Sequence, residues 1–524
     1  MRAATIKQTS LIVDSPDGKI LPMTEQGRKR YAERAAIRKG WSAMAPSSQR
    51  HIPSRVCLAA SAVLIVSFLT IGPALRGQTR ADEHWVGAWA TAATWRVEPG
   101  QPQPGQTGAA AAPAPPPAGA APPQQPHLSD APPHPLHQGP LPVGGQSPLQ
   151  FHDQTLRQIT HISIGGGQLR VVLTNVFGTV PLKIGAASVA LGDKGAAIVA
   201  NSSRPLMFSG MPAVTIPPGA EMVSDPVPLT VAPFADLVID IYLPENTAEM
   251  KSPITTHASS WQTNFVSRPG NHVGSVSLPV LTTTQYRRAD GVPTSTWFFL
   301  ASVEVTAPAQ TRAVVTLGDS ITDGTHSGID TNNRWPDHLA KRVAQANIEM
   351  SVLNIGIGGN RLLGDGNGVN ALARFDHDVL GQPGVTHLIV LEGINDIGFA
   401  GSGPNPSAAD LIAAHRQIIE RAHAHGIKAI GATLTPFEGA FYYTPQGEAK
   451  RKALNDWIRT SKMYDAVVDF DAVIRDPNHP AKTLAKYDPG DHLHPNPTGY
   501  AAMAEAIDLS WLKPAAARPQ TASR

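Results

Sequence analysis

Between residues 311 and 515 the hydrophobic positions fall into short uninterrupted runs separated by longer stretches of helical spacing. Ala313-Val314-Val315-Thr316-Leu317, Ser351-Val352-Leu353-Asn354-Ile355 and His387-Leu388-Ile389-Val390-Leu391 are apolar and β-branched. So is the run from Lys428 to Thr433, and Ala466-Val467-Val468-Asp469-Phe470 reads as a further strand. Runs of this kind suit parallel strands buried on both faces. Between them, Arg334-Trp335-Pro336 opens an amphipathic stretch through Ala346, and residues 407–425 form a long helical pattern ending at Gly426. Another helix lies near 446–462, and a last one runs from Pro497 to Trp511. Strands alternating with helices predict an α/β domain with a parallel sheet, right-handed crossovers and helices on both faces.

Upstream the pattern changes. Residues 150–310 carry short alternating or apolar runs, among them Leu169-Arg170-Val171-Val172-Leu173, Val214-Thr215-Ile216, Leu237 to Leu243 and Trp297-Phe298-Phe299-Leu300. Gly, Pro and Asn clusters punctuate them, which predicts an antiparallel β-sandwich of jelly-roll type. Trp85-Val86-Gly87-Ala88-Trp89 reads as its first strand. Residues 97–148, rich in Pro, Ala, Gln and Gly, have no means of burying a core and read as a disordered insertion within that domain. The resulting division is an extension and signal or anchor segment over 1–81, a β-domain over 82–310, an α/β domain over 311–515 and a flexible tail over 516–524.

The N-terminal region adds a targeting signal. Val56 to Leu75 is an uncharged apolar run preceded by Arg50 and Arg55, and Thr79-Arg80-Ala81 offers a cleavage site. This predicts a secreted or periplasmic protein, or one anchored in a membrane if 56–75 stays uncleaved. The long stretch before this run points to Met44 as the start. The single cysteine, Cys57, lies in the same segment without the residues of a lipid-attachment site, so a cleaved chain has no disulfide. With 43 Lys and Arg against 41 Asp and Glu, the net charge of +2 gives no general attraction to nucleic acid.

The chemistry gathers where strands of the α/β domain end. The first strand runs into Gly318-Asp319-Ser320, then Ile321-Thr322-Asp323-Gly324, where glycines permit a sharp turn that exposes a serine hydroxyl. Such a hydroxyl is a weak nucleophile until a base takes its proton. His494 is the candidate base, because Asp491 stands three residues before it and can hold one imidazole nitrogen while the other faces the serine. No G-x-S-x-G occurs in the chain, which excludes the α/β-hydrolase elbow. Glycines follow the second strand in Gly356-Ile357-Gly358-Gly359-Asn360-Arg361, and the third leads into Glu392-Gly393-Ile394-Asn395-Asp396. Taken singly, each piece also reads as an ordinary turn or helix cap.

In this order and spacing the four pieces resemble the SGNH (GDSL-type) hydrolases, in the secreted bacterial subset with an N-terminal β-domain. The resemblance implies a flavodoxin-like three-layer α/β domain and a serine esterase, or carboxylic ester hydrolase. It gives Ser320, His494 and Asp491 the roles of nucleophile, base and orienting acid. The oxyanion donors it implies are the backbone N–H groups of Ser320 and Gly359 and the side-chain amide of Asn395. Arg361, beside Gly359, becomes a candidate substrate-binding residue. The expected substrate is a small-molecule or polysaccharide ester, a short acyl and above all acetyl ester on a carbohydrate. A broad lipase, arylesterase or thioesterase is the alternative, as is an inactive sugar-binding surface protein. No metal and no organic cofactor are needed for this chemistry. Asp319, Asp396 and His492 read as scaffolding, His423 and His425 do not share a helix face as metal ligands would, and Trp85, Trp89, Trp95, Trp261 and Trp297 read as core.

Overall fold

Burial on both faces drives the central sheet. The computed structural model describes residues 83–96, 150–288, 291–399 and 405–513, so the 56–75 segment, the 97–148 insertion and the tail lie outside the described residues. Five parallel strands, β1 (Arg312–Gly318), β2 (Met350–Gly356), β3 (Val385–Leu391), β4 (Lys428–Ala432) and β5 (Ala466–Val468), lie in the order β2-β1-β3-β4-β5. This flavodoxin-like order reverses direction beside β1, and open α/β sheets bind ligands at that switch point, beyond the carboxyl ends of the strands. Helix Trp335–Gln345 links β1 to β2, whereas Ala408–Ala424 and Pro445–Thr460 link β3 to β4 and β4 to β5. Right-handed crossovers in opposite directions along the sheet put these helices on opposite faces. Helix Trp335–Gln345 packs on Pro497–Glu505, and Ala408–Ala424 packs on Pro445–Thr460.

Two predicted elements end early. The fifth strand stops at Val468, because the Asp469 side chain accepts the Ala472 N–H and starts a helix over Phe470–Ile474. The last helix covers Pro497–Glu505, and a 3₁₀ turn at Leu509–Leu512 follows it. Its start obeys sequence chemistry: Asn496 caps the Gly499 N–H and Pro497 occupies the first turn.

The preceding region is antiparallel β. One sheet joins Glu83–Ala90, Leu300–Pro308, Leu169–Thr174 and Glu221–Val223. A second contains Gln154–His161 and Asp236–Leu243 at its centre, flanked by Phe265–Pro269 and Ala186–Leu191. Leu169, Val171 and Leu173 of the first sheet share one core with Leu156, Ile239 and Ile241 of the second. The run Trp297 to Leu300 is not one strand. Trp297–Phe298 and Leu300–Pro308 belong to different sheets, and Phe299 between them turns the chain at φ +55°.

The two regions share packing as well as a chain. Val86, Ala90 and Ala92 sit in the core of the α/β domain, and the Gly87 N–H donates to the Pro383 carbonyl at 3.0 Å. Close approach needs the glycine here, since a Cβ on Gly87 would stand 2.8 Å from Leu353. Trp89, Trp261 and Trp297 are buried, while Trp85 lies under the Arg170 guanidinium and Trp95 against Phe177. Among the described residues no helix is long and apolar enough to cross a membrane.

Candidate active site

The turn after β1 is built by its own side chains. Asp319 caps the short helix Ser320–Asp323 by accepting the Ile321 N–H at 2.9 Å, and Gly324 closes it at φ +106°. That conformation costs a glycine little and other residues much. Ser320 therefore stands at the first position of a helix at the carboxyl end of β1. Its backbone N–H has no hydrogen-bond partner among the described residues.

The loop before helix Pro497–Glu505 brings the candidate base. Ser320 Oγ lies 2.7 Å from His494 Nε2, and His494 Nδ1 lies 2.6 Å from Asp491 Oδ2. The other Asp491 oxygen accepts the Leu493 and His494 N–H groups, each at 3.0 Å, which locks the carboxylate in the loop it serves. Because a carboxylate only accepts, Nδ1 carries the hydrogen, and Nε2 is left to take one from the serine. Burial holds the His494 imidazole below its ordinary 6.5, and Asp491 only partly offsets this, so it is neutral near pH 7. Burial alone would raise Asp491, yet hydrogen bonds from His326 and His494 outweigh it and hold the carboxyl well below the usual range.

His326 escaped sequence reading. Its Nε2 approaches Asp491 Oδ2 at 3.1 Å, so the acid has a second imidazole beside it. The backbone of His326 sits at φ +67°, an uncommon conformation for a residue with a side chain, and one that often marks functional sites. His326, Asp491 and His494 offer ligand atoms within 4.8 Å of one another, but two of the three pairs are already hydrogen-bonded.

The turns after β2 and β3 supply donors. Gly359 lies at φ +74°, and its N–H has no hydrogen-bond partner among the described residues. Asn395 donates one amide hydrogen to the Asn360 carbonyl at 3.0 Å and accepts from the Tyr442 hydroxyl at 3.3 Å. Both contacts fix which end of the amide is nitrogen, and its second hydrogen is left for an incoming atom. Asp396 accepts the Leu362 and Leu363 N–H groups at 2.7 and 3.1 Å, tying the β3 turn to the segment after Gly359. Buried Arg374 reaches Gly318 and Ile355 carbonyls and Asn360 Oδ1, joining the ends of β1 and β2.

Among the described residues Arg361 makes no hydrogen bond to Ser320, His494 or Asp491. Its guanidinium stacks 5.0 Å over Phe399, which meets Phe441 and Tyr442 at 5.8 and 5.0 Å. Phe441 is 80% exposed, so these rings form a rim beside Asn395. Tyr442 and Phe441 belong to the long connection between β4 and helix Pro445–Thr460. The length of this connection is the one sequence feature that could have pointed to a functional loop. His492 bonds Asp488 at 2.5 Å, and His423 pairs with Asp465 on the surface, so neither reaches Ser320.

Residues 316–502 match the GDSL-like lipase/acylhydrolase family. This region is a GDSL-like hydrolase domain. The GDSL-like domain thus spans β1 to helix Pro497–Glu505 and makes the chain a carboxylic ester hydrolase by class. Solved structures similar to it include a putative G-D-S-L lipolytic protein from Desulfitobacterium hafniense, 23% identical, covering 37% of this chain and 97% of that one, at TM-score 0.29. A GDSL-like lipase from Bacteroides thetaiotaomicron is 20% identical over 37% and 85% of the two chains, at TM-score 0.30. A putative arylesterase from Agrobacterium tumefaciens is 20% identical over 37% and 96%, at TM-score 0.30. No curated protein matches the chain.

Proposed function

We propose that the protein is an exported serine esterase that removes short acyl groups, acetyl foremost, from carbohydrate esters. The observation that carries the reaction is the relay from Ser320 Oγ through His494, at 2.7 and 2.6 Å, to Asp491. Ser320 attacks the ester carbonyl while His494 Nε2 accepts its proton and Asp491 stabilises the imidazolium that forms. The carbonyl oxygen becomes an oxyanion facing the Ser320 and Gly359 N–H groups and the free hydrogen of the Asn395 amide. His494 then gives the proton to the leaving alcohol. Water, deprotonated by the same imidazole, releases the acid from the acyl-enzyme.

Two features support a short acyl group on a sugar. Ser320 is 6% exposed and His494 7%, so the acyl group enters a confined space. The exposed Phe441 ring, with Arg361 on neighbouring Phe399, offers a stacking face and hydrogen-bond donors suited to a sugar ring outside that space. The same rim would accept an aryl alcohol, which favours arylesterase activity as the second reading. Export rests on the apolar 56–75 run and the Thr79-Arg80-Ala81 site.

A panel of p-nitrophenyl esters from acetate to dodecanoate, run beside acetylated xylan and sugar acetates, tests the reading. Turnover should fall steadily beyond butyrate, and acetate should be released from the glycans. Preference for octanoate or longer, with the glycans untouched, would overturn it.

A further inference from the structure

The β-domain reaches into the catalytic turns through one buried chain of hydrogen bonds. His257, on strand Ile254–His257, places Nδ1 2.8 Å from the Ala92 carbonyl and Nε2 3.0 Å from Asp323 Oδ1. The side chains of His257 and Asp323 are each only 4% exposed. The two ring nitrogens thus bridge the Ala92 carbonyl of the β-domain and the Asp323 carboxylate of the catalytic turn. Asp323 ends the helix that begins with Ser320. Its second oxygen accepts the Gly358 N–H at 3.0 Å. The next N–H along the chain is that of Gly359, one of the proposed oxyanion donors.

The surroundings of Gly358 strengthen the connection. A Cβ placed on it would lie 3.5 Å from Ser259 Oγ of the β-domain and 3.5 Å from Asp323 Oδ2. Its carbonyl accepts from Asn367 Nδ2 at 2.9 Å on the opposite side. Gly358 is therefore held at its N–H by a carboxylate and at its carbonyl by an amide, and the carboxylate meets a histidine from the other domain. Removing one partner from a buried hydrogen bond leaves the other side chain unsatisfied, so Asp323 would reorient and loosen its hold on Gly358.

We infer that His257 is a positioning residue for the oxyanion turn, and that the β-domain completes the active site rather than merely flanking it. Its effect passes through Asp323 to the Gly358–Gly359 peptides. The inference rests on the esterase reading of Ser320, Gly359 and Asn395.

Four full-length variants test it: His257→Ala, His257→Gln, Asp323→Ala and Thr263→Val. Thr263 bonds Asp330 across the same interface at 2.6 Å but does not touch the oxyanion turn, so its variant controls for loosened docking. Active sites are counted with an organophosphonate that labels Ser320, and kcat and KM are measured on p-nitrophenyl acetate beside thermal melts. His257→Ala should lose about 10- to 100-fold in kcat per labelled site with KM within about threefold, the pattern of a misplaced transition-state donor. His257→Gln keeps a donor for Asp323 and should return to within about fivefold of the parent chain. Thr263→Val should lower the melting temperature and keep kcat within about twofold.

Unchanged kcat in His257→Ala, or an equal loss in Thr263→Val, would overturn the inference. If His257→Ala does not fold, His257→Gln and Asp323→Ala decide, because only the second removes the acceptor that holds Gly358; equal kcat in those two overturns it as well. A parent chain without ester turnover would instead sink the esterase reading on which the inference stands.

Discussion

His326 Nε2 stands 3.1 Å from Asp491 Oδ2, the oxygen that also holds His494 at 2.6 Å. The proposed orienting acid is thus shared between two imidazoles, and this implies a pH signature. His494 must be neutral to act as base, and burial places its titration below 6.5, so the acid limb of kcat/KM should lie below pH 6.5. Beside burial, the charge of His326 also pushes the His494 titration down, and its hydrogen bond helps to hold Asp491 low. Replacing His326 by Ala should move the acid limb towards neutral pH and lower the plateau by about two- to fivefold. A pH–rate profile of the variant checks both, and a limb that does not move would remove His326 from the relay.

The amide of Asn395 is held at both ends, by Asn360 at 3.0 Å and Tyr442 at 3.3 Å. Asn395→Ala should lose about 10²- to 10³-fold in kcat, roughly 3 kcal/mol of transition-state stabilisation. Tyr442→Phe keeps the ring and removes only the hydroxyl, so the amide stays but turns more freely. A loss of about three- to tenfold in kcat with KM unchanged is expected. Steady-state kinetics on both variants, with circular dichroism to confirm folding, distinguishes them. Equal rates in Asn395→Ala and the parent chain would exclude Asn395 from the oxyanion site.

Beneath the site lie two carboxyls with no hydrogen-bond partner on one oxygen each among the described residues, Asp319 Oδ2 and Glu392 Oε1. Burial pushes Asp319 up to about 7 and raises Glu392 as well, with the charge of Asp319 adding to the rise at Glu392. The linkage sign follows. Asp319 titrates near 3.8 when unfolded and near 7 when folded, so its protonated form stabilises the fold below pH 3.8. That contribution is lost as pH rises through about 7. Asp319→Asn imitates the protonated carboxyl and can still accept the Ile321 N–H. Melting temperature should match the parent chain near pH 4 and exceed it at pH 8, by about 2–4 °C for each kcal/mol recovered. A variant less stable than the parent at pH 8 would contradict this account.

What could be read from the sequence follows from where burial and chemistry coincide along the chain. The first three strands of the central sheet were legible because both faces are covered, so Val314-Val315, Val352-Leu353 and Ile389-Val390 are all apolar. The turns that follow them lie directly beside those runs, so the candidate residues Ser320, Gly359 and Asn395 could be located along the chain. Strand Gln154–His161 was not legible, since its Thr155, Arg157, Gln158 and Thr160 are buried polar residues. Arg157 is tolerated there because it pairs twice with Asp240 at 2.8 Å and reaches the Ala196 and Ser275 carbonyls. His257, Tyr442 and Arg374 were hidden for a different reason. Each reaches the site from a distant segment, through contacts that no local spacing encodes.

The central claim is that Ser320 is the nucleophile, and hydrolysis of p-nitrophenyl acetate by Ser320→Ala tests it most directly. The account predicts a fall in kcat on the order of 10⁴-fold or more, in a variant that melts like the parent chain. Activity within about tenfold of the parent would contradict it.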